Sequence, residues 1–401
     1  MRILFITGEF PPMQGGVGDC TNEIAKGLAA LGAHVRVLTS AQAGDATQWS
    51  VTGEFAILPA IRRWDWSSLR TIKDLAHKFA PDIVHLQYQT GAFGMHPAID
   101  FLPRYFRARP GDVGRAPRPR VVTTFHDLRV PYLFPKAGRV RKWVTRELAR
   151  ASDSVIATND EDYLKLETWN LKLLTLIPIG SNIQTTPPPD YQRGTWRARL
   201  GVAENEVLLC YFGFLNESKG AETLIRALAQ TPGAKLLMIG GQVGASDPTN
   251  AAYLEKVRAL IAKFGLVERV IWTDYTPPEI VTANFLASDL CVLPYRDGAS
   301  YRRGTLMAAL AHGMAIVTTT PRGVGAIHES PRLPALRDGE NCLLVSPDDP
   351  TALAWAILRA AAAPELRARI SAGARALAQH FTWDKLALQH LELYRQLADG
   401  G

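Results

Sequence analysis

The chain has 401 residues, 47% of them hydrophobic and 21% charged, which is too long for one compact core and too apolar for a disordered chain, so two folded domains are expected. The net charge of +7 is uneven: residues 1–183 hold 23 Lys and Arg against 17 Asp and Glu, and the remainder 22 against 21. The four cysteines, Cys20, Cys210, Cys291 and Cys342, are scattered and form no Cys-x-x-Cys pair, which argues against a disulfide framework or a zinc site and for a reducing, cytoplasmic setting.

In chain order, short apolar runs alternate with helical patterns, the signature of parallel α/β sheets. Arg2–Thr7 reads as a strand; Gly8-Glu9 breaks the run too early for a secretory leader, and no later stretch reaches membrane-spanning length. Helix 18–31, strands 35–39, 83–86 and 121–125, a basic amphipathic helix 140–151 and strand 154–158 complete one doubly wound domain. The run Pro187-Pro188-Pro189 punctuates the chain, and the pattern restarts. Strands are expected at 207–212, 235–239, 270–272 and 290–293, with helices at 220–228, 253–264, 278–287, 351–362 and 365–380. A last amphipathic helix covers 385–397. The expected domains are 1–183, 184–382 and a closing segment 383–401.

Five segments at strand ends carry the candidate chemistry. Phe10-Pro11-Pro12-Met13-Gln14-Gly15-Gly16-Val17-Gly18 follows the first strand; its glycines permit close approach of backbone to a ligand at a helix N-terminus. His85 closes Asp82-Ile83-Val84-His85, and His126 follows Thr123-Thr124-Phe125 at a carboxyl strand end with Asp127 beside it as the group to orient it. Lys219 precedes Gly220 in Tyr211-Phe212-Gly213-Phe214-Leu215-Asn216-Glu217-Ser218-Lys219-Gly220. The run 293–318 passes from a strand through Asp297, Gly298, Ser300, Arg302, Arg303 and Gly304 into a small-residue helix over 305–312 ended by Gly313, with a new strand from Met314. Backbone amides at Gly304–Leu306 and two adjacent guanidinium groups form an anion site.

These motifs, in this order, resemble the GT-B glycosyltransferases of family 4. The start Pro-Pro-x-x-Gly-Gly-Val-Gly, the Thr-x-His at 124–126, the Lys-Gly at 219–220, Ile177-Pro178-Ile179-Gly180-Ser181-Asn182, Asp338-Gly339-Glu340-Asn341-Cys342-Leu343-Leu344-Val345 and Phe381-Thr382-Trp383 before a final helix all fit that pattern. The resemblance implies two Rossmann-like domains facing across a cleft, an acceptor-side domain followed by a nucleotide-sugar domain, and a last helix crossing back. It further implies that Gly15, Gly16 and His126 lie beside the transferred sugar. Lys219, Arg302, Arg303, Gly304, Thr305, Ser300 and Asp297 are then expected at the donor, and His85 and Asp127 on the acceptor side. The chain departs from the pattern where the family carries a phosphate-clamping arginine, here Phe214, and at both glutamates of E-x(7)-E, which fall on Ser300 and Ala308. Arg302 or Arg303 is expected to supply the missing guanidinium.

The reaction implied is retaining transfer of a sugar from a nucleoside diphosphate to an acceptor hydroxyl on a glycan, lipid or small molecule, in carbohydrate biosynthesis. It is expected to need neither metal nor other cofactor. The alternative is a non-catalytic GT-B protein that binds a nucleotide or glycan. The arginines 104, 107, 109, 115, 118 and 120, with Lys136, Arg139, Arg141, Lys142, Arg146 and Arg150, point to solvated surface or to peripheral contact with the anionic inner face of a membrane. Nucleic acid is not an expected partner, since no recognition motif for it is present.

Overall fold

The computed structural model describes residues 1–44, 50–52, 54–107, 118–128, 138–241, 249–321 and 332–399. Arg109, Arg115 and Lys136 of the basic cluster lie outside these. The chain forms two compact units: one from Met1–Ile179 with Trp383–Gly401, the other from Gly180–Thr382. The first division falls four residues before the expected one.

The first unit contains β1 (Arg2–Thr7), α1 (Gly16–Ala30), β2 (His34–Ser40), β3 (Ser50–Thr52), β4 (Phe55–Ile61), α2 (Trp66–Phe79), β5 (Ile83–Tyr88), α3 (Leu102–Phe106), β6 (Arg120–Phe125), α4 (Gly138–Ala151), β7 (Ser154–Ala157), α5 (Asp160–Glu167) and β8 (Leu174–Leu176). Its sheet runs β3-β4-β2-β1-β5-β6-β7-β8, parallel except for β3 against β4. Strand alternation divides the core. Leu4, Ile6, Val84 and Leu86 pack on one face, while Ile3, Phe5 and Ile83 pack on the other. Strand β4 and helix α2 were not among the expected elements. Pro59 interrupts the apolar run of β4, and the helix begins at an Asp65 cap whose carboxylate accepts from Ser67 N at 2.9 Å.

The second unit contains α6 (Arg193–Arg199), β9 (Val207–Phe212), α7 (Ala221–Leu228), β10 (Ala234–Ile239), α8 (Thr249–Lys263), β11 (Val270–Trp272), α9 (Pro278–Ala287), β12 (Leu290–Leu293), α10 (Gly304–Ala311), β13 (Ile316–Thr319), β14 (Leu343–Val345), α11 (Pro350–Ala362) and α12 (Pro364–Ala378). Its sheet, β11-β10-β9-β12-β13-β14, is parallel throughout. The strand expected from Met314 begins at Ile316.

The closing helix α13 (Trp383–Asp399) belongs to the first unit, where Leu386, Ala387, Leu391 and Tyr394 join the core on the α1 face. A Cβ on Gly27 of α1 would come within 2.6 Å of Ala387 Cβ, so the two helices meet where a glycine allows it.

Both sheets reverse strand order once, between β1 and β5 in the first unit and between β9 and β12 in the second. In open α/β sheets the carboxyl ends of the strands at such a reversal leave a crevice, because the connections depart in opposite directions.

Candidate functional site

In the second unit the loops after β9 and β12 meet at that reversal. A Cβ on Gly220 would overlap the Pro294 carbonyl oxygen, and Gly220 has φ +71°, so this close approach requires glycine twice over. Gly213, at φ +101°, lies where a Cβ would come within 2.7 Å of Thr305 Cγ2 and 3.0 Å of Lys219 Nζ. Lys219, Thr305 and the amino end of α10 therefore converge on one backbone position. Tyr295 is fully buried beside them, and its hydroxyl lies 2.6 Å from Thr305 Oγ1.

The two arginines differ in placement. Arg303 donates from Nη2 to Asp297 at 2.5 Å and to Ser218 Oγ at 3.2 Å, and its guanidinium carbon lies 5.1 Å from the Tyr295 ring centroid. Its Nε is buried with no hydrogen-bond partner among the described residues. Arg302, with a side chain only 5% exposed, donates to the same Asp297 oxygen at 2.9 Å. The Lys219 backbone N–H donates to Asn216 O at 3.1 Å, while its ammonium makes no hydrogen bond or ion pair with another described residue. Burial first, and the neighbouring Arg303 charge second, push its ammonium down to about 7. Lys219 and Arg303 are thus held close together, and the carboxylate beside them, Asp297, is bonded to Arg303 and Arg302.

Ser300 and Ala308, the two positions without glutamate, behave differently. Ser300 is half-buried and its carbonyl caps the turn into α10, accepting from Arg303 N at 3.0 Å. Ala308 has no exposed surface at all. Phe214 packs on Gly241, where a Cβ would come within 2.7 Å of its ring.

In the first unit the glycine loop is built differently from its sequence reading. The Glu9 carboxylate accepts from Val17 N at 3.0 Å and Gly18 N at 3.3 Å, capping α1 from outside the helix. Burial raises its pKa. A Cβ on Gly15 would overlap that carboxylate, and one on Gly18 would come within 2.9 Å of the Glu9 and Phe10 backbone. These two glycines serve internal packing, and only Gly16 has open space beside it. Gly15 therefore has a packing reason to be glycine besides the approach to a ligand expected from the sequence.

His126, half-buried, follows β6, with Nε2 2.7 Å from Gln87 Oε1. Gln87 thus holds the imidazole at Nε2. Burial, with His390 adding to it, brings His126 down to about 4, so the ring is neutral near pH 7. His85 is corrected: it has no exposed surface, so it meets no acceptor directly. Strand alternation turns it inward with Ile83 and Gln87, and its Nδ1 lies 2.5 Å from the Tyr394 hydroxyl of α13. A cavity of about 450 Å³ opens beyond β4, lined by Arg62, Arg63, Ser67 and Thr71.

Gln87, Ser218, Tyr295 and Tyr394 escaped the sequence reading. Gln87 lies two residues beyond His85, on the same strand face, which is the one local signal for it. The others are brought in by tertiary packing.

Among the described residues no helix is long and apolar enough to cross a membrane.

Two α/β units, each with a parallel or nearly all-parallel sheet that reverses its strand order once, are those of the GT-B fold. Residues 15–180 match the glycosyl transferase 4-like domain and residues 206–363 the glycosyl transferases group 1 domain, and the chain belongs to that glycosyltransferase family. It is similar to the D-inositol 3-phosphate glycosyltransferase of Xylanimonas cellulosilytica, 30% identical over 261 residues that cover 62% of this chain and 58% of the relative. The enzyme of the same description from Streptomyces scabiei is 28% identical over 256 residues, covering 62% and 55%. The chain thus spans less than two thirds of the length of these relatives. Among solved structures it shares its fold with the sucrose-phosphate synthase of Thermosynechococcus elongatus (TM-score 0.77, 23% identity, all of both chains). HepE of Anabaena, solved in complex with UDP and glucose, also shares it (TM-score 0.72, 20% identity, 99% of this chain and 100% of that one).

Proposed function

We propose that the chain is a retaining glycosyltransferase that moves a sugar from a nucleoside diphosphate to an acceptor hydroxyl. The observation that carries this reading is the convergence of Lys219, Arg303 and the amino end of α10 at the β9/β12 reversal. Family membership and relatives described as glycosyltransferases support it. As the bond between the anomeric carbon and the phosphate oxygen breaks, negative charge grows on the departing diphosphate. Lys219 and Arg303 stabilise that charge, and the leaving oxygen accepts the acceptor's hydroxyl proton on the same face of the sugar. His126, neutral, contacts the sugar through hydrogen bonding. The diphosphate charge is met by side-chain cations and backbone amides, so the proposal includes turnover without an added divalent metal.

The test is a panel of UDP-, GDP- and ADP-sugars, each with myo-inositol, inositol phosphate and simple glycosides, with and without EDTA. Release of nucleoside diphosphate coupled to glycoside formation is expected. Binding of a nucleoside diphosphate without transfer or slow donor hydrolysis supports instead the non-catalytic reading, which the missing carboxylates at Ser300 and Ala308 favour. The Arg62/Arg63 cavity suits an acceptor with an anionic group, the kind named for the relatives above.

Peripheral membrane contact is a second part of the proposal. Helix α4 exposes Arg139, Val140, Lys142 and Trp143 together, with Trp143 54% exposed, and Trp66 of α2 is 56% exposed. Arg104 and Arg118 of the basic cluster contribute less, because Arg104 pairs with Glu147 and Arg118 with Asp153. Sedimentation with phosphatidylglycerol vesicles at low salt, absent with phosphatidylcholine, is expected; equal behaviour with both lipids refutes it.

A further inference from the structure

A chain of hydrogen bonds runs inward from His126 through the first unit. His126 Nε2 lies 2.7 Å from Gln87 Oε1, Gln87 Nε2 lies 3.3 Å from His85 Nε2, and His85 Nδ1 lies 2.5 Å from Tyr394 Oη. Gln87 and His85 have no exposed surface, and neither has Tyr394. The roles along this chain follow from the orientation of the Gln87 carboxamide, whose oxygen faces His126 and whose nitrogen faces His85. A carboxamide oxygen only accepts, so His126 carries its proton on Nε2. The carboxamide nitrogen only donates, so His85 Nε2 accepts, and the Thr124 hydroxyl, 2.7 Å away, donates to the same lone pair. His85 is then protonated on Nδ1 and donates to Tyr394. Both imidazoles are neutral, since burial depresses each. Behind them, His390 of α13 donates from Nδ1 to Leu386 O at 2.7 Å, with its ring 5.7 Å from that of His85.

We propose that Gln87 is a positioning residue, braced by His85 and Tyr394, that locks His126 in the Nε2-protonated tautomer so that Nδ1 serves as hydrogen-bond acceptor for a hydroxyl of the transferred sugar. The inference rests on the glycosyltransferase reading for its consequence, but the tautomer lock itself is a property of the free protein. The closing helix acquires a functional task by it: Tyr394 holds the last acceptor in a chain that begins at the site. An imidazole with the opposite tautomer would present an N–H donor to the sugar and would require the Gln87 carboxamide to turn over, which sets its oxygen against the His85 Nε2 lone pair and costs about as much as a lost buried hydrogen bond.

The test uses the full chain with ¹⁵N-labelled histidine, His126 being assigned from a His126→Asn variant. Long-range ¹H–¹⁵N spectra are expected to give the Nε2–H tautomer for His126 in the wild type. In Gln87→Leu the ring is expected to populate both tautomers. With the best nucleotide sugar as donor, kcat of Gln87→Leu should fall about tenfold, the worth of one neutral hydrogen bond, while the donor KM changes less than about twofold. Tyr394→Phe conserves volume and covers the case in which Gln87→Leu does not fold; it should shift the His85 ring signals and lower kcat in the same sense. An Nδ1–H tautomer in the wild type, an unchanged tautomer in both variants, or a shifted tautomer with wild-type kcat overturns the proposal. If the wild type transfers no sugar at all, the glycosyltransferase reading falls, and the tautomer measurement alone decides whether the lock exists.

Discussion

Arg302 and Arg303 are adjacent and chemically identical, yet only Arg303 shares the Lys219 site. Arg303 reaches Ser218, lies over the Tyr295 ring and lowers the Lys219 ammonium. Arg302 is enclosed and bonded to Asp297. A bound diphosphate would compete with Asp297 for Arg303 and replace one counter-ion by a stronger one. Arg303→Ala is therefore expected to weaken nucleoside diphosphate binding by about one to two powers of ten, the worth of a charge-assisted hydrogen bond. Arg302→Ala should act chiefly on stability. Calorimetric titration of both variants checks this, and equal affinity losses in the two would contradict it.

At the scale of the element, α1 begins under a borrowed cap. No side chain of its own N-cap residue, Gly15, can serve, and Glu9 from the preceding loop accepts from Val17 and Gly18 instead. The three glycines consequently have three different reasons to be glycine. Gly15→Ala should cost about 1 kcal/mol, the value of a lost cap, as the new methyl displaces the Glu9 carboxylate. Gly18→Ala should cost more, because its obstacle is backbone. Gly16→Ala meets nothing and should leave the melting temperature unchanged while lowering turnover, if the donor comes close to this loop. Thermal unfolding and turnover measured side by side separate the three.

Across the whole molecule, acid sensitivity should come from buried imidazoles in the first unit. His126 and His390 are each pushed down to about 4, and His85 lies well below its ordinary value, all chiefly through burial. Between the unfolded value near 6.5 and these lowered values the unfolded chain binds more protons. Stability is then full above about pH 6.5 and is lost as the pH falls towards 4, by at most about 1.4 kcal/mol per pH unit per histidine. Asp100 opposes this. Burial raises it to about 6, so between there and its ordinary value the folded state binds the extra proton. Asp100 offsets at most one of the three histidines, so the net loss continues below pH 6 and should be steepest between about pH 6 and 5. His390→Leu, which removes one imidazole, should reduce the slope of melting temperature against pH; an unchanged slope would show that these rings do not control it.

Much of this organisation was legible in the chain. The strands at 207–212, 270–272 and 290–293 and the helix at 278–287 coincide with the observed elements, because apolar runs bounded by Gly and Pro report local backbone preference directly. The glycine loops, Lys219 and His126 were legible for the same reason: each sits at a strand end marked by its neighbours. The sequence by itself thus determined the α/β class, the division into two units and the glycine-bearing loops at the strand ends. Tertiary structure alone decided which arginine joins Lys219, that Glu9 fills the amino end of α1, and that His85 faces Tyr394 across 309 residues of chain. Those choices depend on which side chains meet when β9 lies beside β12 and α13 beside α1. Such meetings are set by packing and by the desolvation of polar groups, which local periodicity does not encode.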